Sequence, residues 1–259
     1  MTSEFLDAAA INSFDVDDFL AKRPFPWRMI DGLLTESGFA TLRNDFPPIE
    51  LFDWHAGRRG SHYVKPQDRY FLAYGRDGET DAGTAGPDDL PDSWVAFIDE
   101  LESSAPYQAL INQVIDVPIQ RVRYTWHMGV AGSEVCPHVD QDYKMATNIF
   151  YFNTADDWDP AWGGNPVILD QKKPDVEFPD FGDFAASEPI DNLGNRSFLF
   201  CNTTDAWHGV HPLTCPDGRY RRLFNVVFEN LDRRFDLHHR VEQTQKTGVR
   251  RKLASLLGR

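Results

Sequence analysis

The sequence predicts a mainly β domain with flanking helices, its strands arranged as a sandwich or jelly roll. Three observations carry this. From residue 118 onward, short β-branched or aromatic runs recur at 119–127, 147–152, 166–169, 197–201, 207–210 and 222–229. Clusters of Gly, Pro, Asn and Asp separate them, the texture of many short strands closed by turns. Before residue 118 the apolar residues instead fall at helical spacing. Finally, 259 residues with 41% apolar and 13% aromatic content can fill one real core, which excludes wholesale disorder.

Taken in order, residues 15–22 and 35–44 read as short helices, the second opened by T-x-S-G and closed before Pro47-Pro48. Residues 51–74 mix polar and aromatic side chains around Gly57-Arg58-Arg59-Gly60, a loop leading into a strand at 69–74. The Gly-, Asp- and Pro-rich stretch 77–92 reads as a surface loop. Helices follow at 93–103, with Trp94, Phe97, Ile98 and Leu101 on one face, and at 107–115, with Leu110, Ile111 and Val114. Within the strand series, 174–191 is an excursion over the mouth of the β-core. The tail, 237–259, is basic and helix-like, with Val249, Leu253, Leu256 and Leu257 on one side. The reading is one domain in three parts: a helical and mixed part at 1–117, the β-core at 118–232 and a helical tail at 233–259.

Charge narrows the partners. With 40 acidic against 26 basic residues the net charge is −14, a surface that repels nucleic-acid phosphates and anionic lipid and favours a cationic or neutral substrate. Cys136, Cys201 and Cys215 form no C-x-x-C pair, which argues against both a disulfide framework and a thiolate zinc site. The acidic start lacks the layout of a signal peptide, and no run reaches the roughly 18 apolar residues of a membrane span. The expectation is a cytoplasmic protein. Oligomeric state is not legible.

The chemistry centres on Cys136-Pro137-His138-Val139-Asp140. On a strand, residues i and i+2 share a face, so His138 and Asp140 would project together and supply two ligands of a 2-His-1-carboxylate site. With eight histidines in an acid-rich chain, H-x-D alone can equally be a surface pair. The balance shifts with His208, set in Trp207-His208-Gly209-Val210, and with Arg222, which opens the strand ending at Glu229. A buried arginine is costly unless it meets an anion. A dicarboxylate bound to the metal at one end would supply that anion at the other, in the bidentate geometry a guanidinium favours.

The tract Asn148-Ile149-Phe150-Tyr151-Phe152-Asn153, then Asp157-Trp158, then Gly163-Gly164, adds a pattern far more specific than H-x-D. With H-x-D before it and W-H-G-V and Arg222 after it, the chain resembles the Fe(II)/2-oxoglutarate-dependent dioxygenases, specifically the prolyl-4-hydroxylase-like branch, over 121–230. The resemblance implies a double-stranded β-helix (jelly roll, cupin-like) core, with Fe(II) held by His138, Asp140 and His208. It implies 2-oxoglutarate as co-substrate, gripped by Arg222 with help from Tyr151, and O2 as oxidant, with ascorbate a candidate reductant. Tyr124, Trp126 and Thr147 are candidate pocket liners for which core packing serves equally. Asp140 favours hydroxylation, because related halogenases carry Gly or Ala there.

Some departures from the family pattern, and some competing residues, matter. Phe224 stands where the family often has a small hydroxyl residue, and the stretch from Trp126 to His138 is long. Arg221 adjoins Arg222, which is preferred for the Leu223-Phe224 rhythm that follows it; His211 competes with His208 but precedes Pro212. The substrate expectation is a small molecule, an amino acid or biosynthetic intermediate, with a peptidyl side chain as the alternative. Rival readings are a cupin-like metal-binding protein without 2-oxoglutarate chemistry and a non-catalytic module with a decayed site. Residues 55–63, with Arg58 and Arg59, can form an anion-holding mouth or a solvated loop. Residues 174–191 can be a lid or a surface insertion. Arg250-Arg251-Lys252 reads as a solvated helix face.

Overall fold

The first three helices begin where the sequence offers side-chain caps. In the computed structural model, which describes residues 4–55, 68–75 and 83–232, Asp7 and Asp15 cap α1 (Ala8–Asn12) and α2 (Val16–Ala21). Thr35 Oγ1 accepts from Gly38 N at 2.9 Å at the start of α3 (Glu36–Asn44). Each cap satisfies an amide that the first helical turn leaves without a partner. Gly38 is required for packing: a Cβ there would lie 2.8 Å from Phe5 Cα. The predicted helical faces recur in α4 (Asp92–Ser103) and α5 (Ala105–Val114), which bury Trp94, Phe97, Ile98 and Leu101, and Tyr107, Leu110, Ile111 and Val114.

The strands are β1 (Trp27–Asp31), β2 (Asp53–His55), β3 (Arg69–Tyr74), β4 (Thr84–Ala85), β5 (Arg121–Gly129), β6 (Val135–His138) and β7 (Lys144–Tyr151), then β8 (Pro166–Lys172), β9 (Phe184–Pro189), β10 (Arg196–Cys201), β11 (His208–Val210) and β12 (Arg221–Glu229). They form two sheets. The larger runs β1-β10-β7-β12-β5-β3-β2, with β4 added to β3; the smaller runs β6-β11-β8-β9. Every pairing is antiparallel except β3 with β4. This is the mainly β, jelly-roll architecture the sequence predicts. The six predicted strands of the core are present with ends shifted by a few residues, while β1, β2, β4, β6 and β9 are additional. The segment before residue 118 thus contributes β1 to β4 to the larger sheet. The excursion 174–191 ends as β9, an edge strand on β8. The predicted tail lies outside the described residues, and no described helix is long and apolar enough to cross a membrane.

Residue alternation along β12 divides the interior. Phe224, Val226 and Phe228 face α4 and α5 and join a core with Trp94, Phe97, Tyr124, Trp126 and Phe150. Arg221, Leu223, Asn225 and Val227 face the other way, into a cavity between the two sheets. Phe224 is the hub of the helix-side core, with ring centroids 4.8 Å from Trp126, 5.0 Å from Trp94 and 5.9 Å from Phe97. Truncation to Ala leaves a void that rigid aromatic neighbours fill poorly. Phe224→Ala is therefore expected to lower the unfolding free energy by about 3–5 kcal/mol, read from urea denaturation followed by circular dichroism.

Candidate active site

β6 is an edge strand of the smaller sheet, where Pro137 can sit without breaking a ladder. It pairs with β11 so that His138 and His208 stand opposite each other, their ring centroids 4.2 Å apart. Both rings are anchored alike: His138 Nδ1 lies 3.0 Å from Cys136 O, and His208 Nδ1 lies 2.9 Å from Ala206 O. In a neutral imidazole, a proton on Nδ1 that donates to a carbonyl leaves the Nε2 lone pair for a metal. Asp140 does not share β6 with His138, as the strand reading had it. It lies two residues beyond the strand, and the loop to β7 brings it to the same cavity. Asn202 fixes that loop, its Nδ2 donating to the carbonyls of Gln141 and Lys144 at 2.9 and 3.0 Å.

The electrostatics suit a divalent cation. Burial, and then the neighbouring His208 ring, push His138 down to about 3; burial likewise lowers His208. Burial alone would raise the Asp140 carboxyl, but Lys144 and then the two imidazoles outweigh it and hold the group below the ordinary carboxylate range. Two neutral imidazoles and one carboxylate, all buried or half-buried, are a donor set that suits Fe(II). They are not drawn into a closed shell among the described residues. His138 Nε2 is 3.8 Å from Asp140 Oδ1, and that oxygen accepts from Lys144 Nζ at 2.6 Å.

The arginine assignment is corrected. Arg222 shares a face with Phe224, so it points out of the cavity, where it pairs with Asp157, donates to Phe152 O at 3.3 Å and lies over Phe46. Arg221, one residue earlier and of opposite parity, is buried on the cavity wall. Its Nε donates to Gly164 O at 2.6 Å, and its guanidinium lies 5.3 Å from the Tyr151 ring centroid. Burial lowers the Arg221 pKa and Tyr151 offsets this in part; burial raises the Tyr151 hydroxyl to about 12. The Gly163-Gly164 pair is explained here. Both residues have positive φ, and a Cβ on Gly164 would lie 2.9 Å from Arg221 Cδ. Trp158 Nε1 donates to Gly163 O at 2.8 Å, which ties the D-W element to the same cradle.

Tyr151 and Thr147 line the cavity, as the sequence suggests. Tyr124 does not: it stacks on Phe224 on the helix side and donates to Glu102 at 3.2 Å. Trp126 has the same parity and is likewise core. His211 is exposed, against Phe181, and is no rival to His208. The cavity also contains residues the sequence reading missed, among them Arg69, His127, Lys144 and Asn225. The parity of β5 and β12, taken from the large aromatics that must face the helices, is the signal that would have found His127, Asn225 and Arg221.

The chain is similar to known proteins in part of its sequence and in its fold. Residues 119–228 match the family model described as the 2OG-Fe(II) oxygenase superfamily. No curated protein matches the sequence. A prolyl-4-hydroxylase from Pseudomonas putida is similar in structure, with TM-score 0.54 and 17% identity over 86% of this chain and 98% of that one. HygX from Streptomyces hygroscopicus, solved with nickel, 2-oxoglutarate and hygromycin B, gives TM-score 0.55 and 9% identity over 85% and 88%. A Trichoplax adhaerens prolyl hydroxylase, solved with a hypoxia-inducible-factor peptide, gives TM-score 0.51 and 13% identity over 86% and 90%. At these identities the likeness speaks to the fold.

The depressed histidines carry a pH signature. Their folded values lie below the unfolded one of 6.5, with His138 at about 3, so the unfolded chain binds more protons as pH falls below 6.5. The stability they contribute is complete above pH 6.5 and is lost as pH falls below it, for His138 down to about 3, at up to about 1.4 kcal/mol per pH unit for each histidine. Urea unfolding of metal-free protein across pH 8 to 4 is expected to follow this slope, and His138→Gln to flatten it.

Proposed function

We propose that this chain works as a 2OG-Fe(II) oxygenase, the superfamily whose model its residues 119–228 match, and that its residues divide the work of a hydroxylase as follows. His138, Asp140 and His208 hold Fe(II), Arg221 grips the distal carboxylate of 2-oxoglutarate, and the substrate is a small molecule. The observation that carries the reading is the pairing of two features in one cavity. Two imidazoles anchored through Nδ1 stand with a carboxylate on one part of its wall, and a buried guanidinium stands on another.

When bound, iron and 2-oxoglutarate supply the chemistry that places one oxygen atom of O2 on a C–H carbon and releases succinate and CO2. The protein's residues bind, orient and exclude water. The carbonyls of Cys136 and Ala206 orient the two Nε2 lone pairs. Lys144 keeps Asp140 ionised while occupying only Oδ1. A carboxylate at this position, rather than Gly or Ala, fills the third protein site on the metal and supports hydroxylation over halogenation. Arg221 is a buried cation whose described polar partners are a carbonyl and a phenol, so the distal carboxylate offsets a charge the fold leaves uncompensated. Ile149, Phe198, Phe200, Leu223 and Val227 supply apolar walls that keep water from the reacting centre.

A cavity of about 180 Å³ between two sheets supports a small substrate. The peptide in the Trichoplax structure keeps a peptidyl substrate as the second reading.

Anaerobic protein mixed with Fe(II) and 2-oxoglutarate is expected to show a weak visible charge-transfer band, lost in Asp140→Ala and in His208→Ala. Arg221→Met should raise the 2-oxoglutarate Kd by about 10–100-fold, the worth of a charge-assisted bidentate pair. Arg222→Met should leave that Kd within about threefold and lower stability instead. The ligand assignment is wrong if both Asp140→Ala and His208→Ala keep iron and turnover. The clamp assignment is wrong if Arg222→Met, and not Arg221→Met, weakens 2-oxoglutarate.

A further inference from the structure

The loop that carries Asp140 also carries a cation. Lys144 opens β7; its backbone N–H donates to Gln141 O at 3.0 Å and its carbonyl accepts from Asn202 Nδ2 at 3.0 Å, so residues 140–144 form one short closed turn. Along β7, Ala146 faces the helix-side core and Thr147 the cavity. Regular alternation would put Lys144 on the helix side with Ala146. It lines the cavity instead, because the β7–β12 register shifts between Phe228, opposite Ala146, and Glu229, opposite Lys144. The extra residue, Met145, is taken into the helix-side core, and the bulge re-aims the lysine.

That aim has a definite target. Lys144 Nζ lies 2.6 Å from Asp140 Oδ1, and the same oxygen lies 3.8 Å from His138 Nε2, so the ammonium stands beside the proposed metal ligands. Asp140 is the one carboxylate Lys144 pairs with among the described residues, and the two side chains are only 18% and 9% exposed. Charges withdrawn from water in this way are weakly screened. Such an ion pair adds little stability over an apolar pair of the same size, so the fold alone gives no reason for a lysine here. Its effect falls on the metal. A cation fixed on one ligand withdraws charge from that carboxylate, whichever oxygen binds, and repels a metal ion more strongly the higher the ion's charge.

We propose that Lys144 is a positioning residue that acts through Asp140 to hold bound iron in the ferrous state. Ferric iron differs from ferrous by one electron lost and one positive charge gained; no bond to the protein is made or broken, and Lys144 keeps its protons. Repulsion from the ammonium is larger for the ferric ion, while the turn that presents Asp140 serves both ions alike. Lys144 therefore raises the midpoint potential of the ferric–ferrous couple and keeps the site in the state that reaction with 2-oxoglutarate and O2 requires. The proposal rests on the hydroxylase reading above and adds to it what sets the oxidation state of its metal.

The test uses full-length protein loaded with Fe(II) without air and titrated with ferricyanide and dithionite through redox mediators, ferricyanide taking the electron that iron gives up. The ferric signal is followed by electron paramagnetic resonance. Lys144→Met is expected to lower the midpoint by at least the equivalent of a tenfold change in the ferric-to-ferrous affinity ratio, about 59 mV for one electron. Lys144→Gln, which keeps a hydrogen-bond donor without the charge, should shift it the same way and serves should Lys144→Met fold poorly. Lys144→Arg, which keeps the charge, should stay near the wild type. Co(II), bound with no oxidant present, is the control: its Kd in the neutral variants should stay within about threefold or fall, because the repulsion removed offsets any loss of placement. A midpoint lowered by less than this or raised in the neutral variants, or lowered as much in Lys144→Arg, overturns the proposal. So does a Co(II) Kd raised beyond about threefold in the neutral variants, because the lysine then merely holds the carboxylate in place. Where the wild type binds iron and gives the charge-transfer band with 2-oxoglutarate, such a result removes this proposal alone. A wild type that binds no Fe(II) removes the hydroxylase reading, and this proposal with it.

Discussion

Strand β12 can bury only one of two adjacent arginines in the cavity, and the rest of the site follows from which one. Successive side chains on a strand point to opposite faces. The helix-facing side of β12 is fixed by Phe224, Val226 and Phe228, because α4 and α5 present Trp94, Phe97 and other large apolar groups that water cannot be left to cover. Arg222 has the parity of that face and escapes it only at the strand's end, where Asp157 and the Phe152 carbonyl receive it. Arg221 is then committed to the cavity. Moving the register by one residue would exchange the two sets, and would put Phe224, Val226 and Phe228 on the cavity side.

The metal side shows a second constraint, applied by the backbone. Each histidine bonds through Nδ1 to the carbonyl two residues before it, so the orientation of the ring is set by its own strand rather than by a distant partner. The β6–β11 register then sets the rings against each other. The carboxylate is positioned differently, by a loop tied down through Asn202 and by Lys144 four residues further on. Ring placement therefore depends on the smaller sheet and carboxylate placement on the start of β7 in the larger one. A metal ion bound by all three would bridge the sheets, and its binding free energy would add to the stability of their packing.

Much of this was legible in the sequence. Helices with a side-chain cap, such as α3, or a clear periodic face, such as α4, are local objects whose signals are contained in their own residues. The strands of the core were legible from β-branched and aromatic runs for the same reason. β1 and β6 were not. Trp27-Arg28-Met29-Ile30-Asp31 becomes a strand because β10 offers it an edge, and Val135 to His138, with a proline inside it, because β11 does. Those pairings are long-range and leave little local trace. Of the candidate site residues that line the cavity, His138, Asp140 and His208 were marked by motif, and Tyr151 by its tract. Arg222 and Tyr124 were expected there and face away from it, because a motif gives order along the chain without parity. The aromatic positions on β5 and β12 contained that parity, since Tyr124, Trp126, Phe224 and Phe228 all had to face the same helices.

The charge of the chain illustrates the same separation between local and global information. A net charge of −14 suggested a cationic or neutral substrate. Surface carboxylates act through water and salt, where interactions fade within about 8–10 Å. Groups lining a cavity between two sheets act through a medium of low polarizability and are screened far less. Burial, and then Arg69, Lys144, Arg221 and Arg123, accordingly hold His127 well below its ordinary value inside a strongly acidic protein. Overall acidity governs solubility and repulsion of polyanions; it says little about which ion the interior attracts. A phosphate polymer is turned away by the surface, while the interior field is set by the few groups that line the cavity, because the two act at different distances.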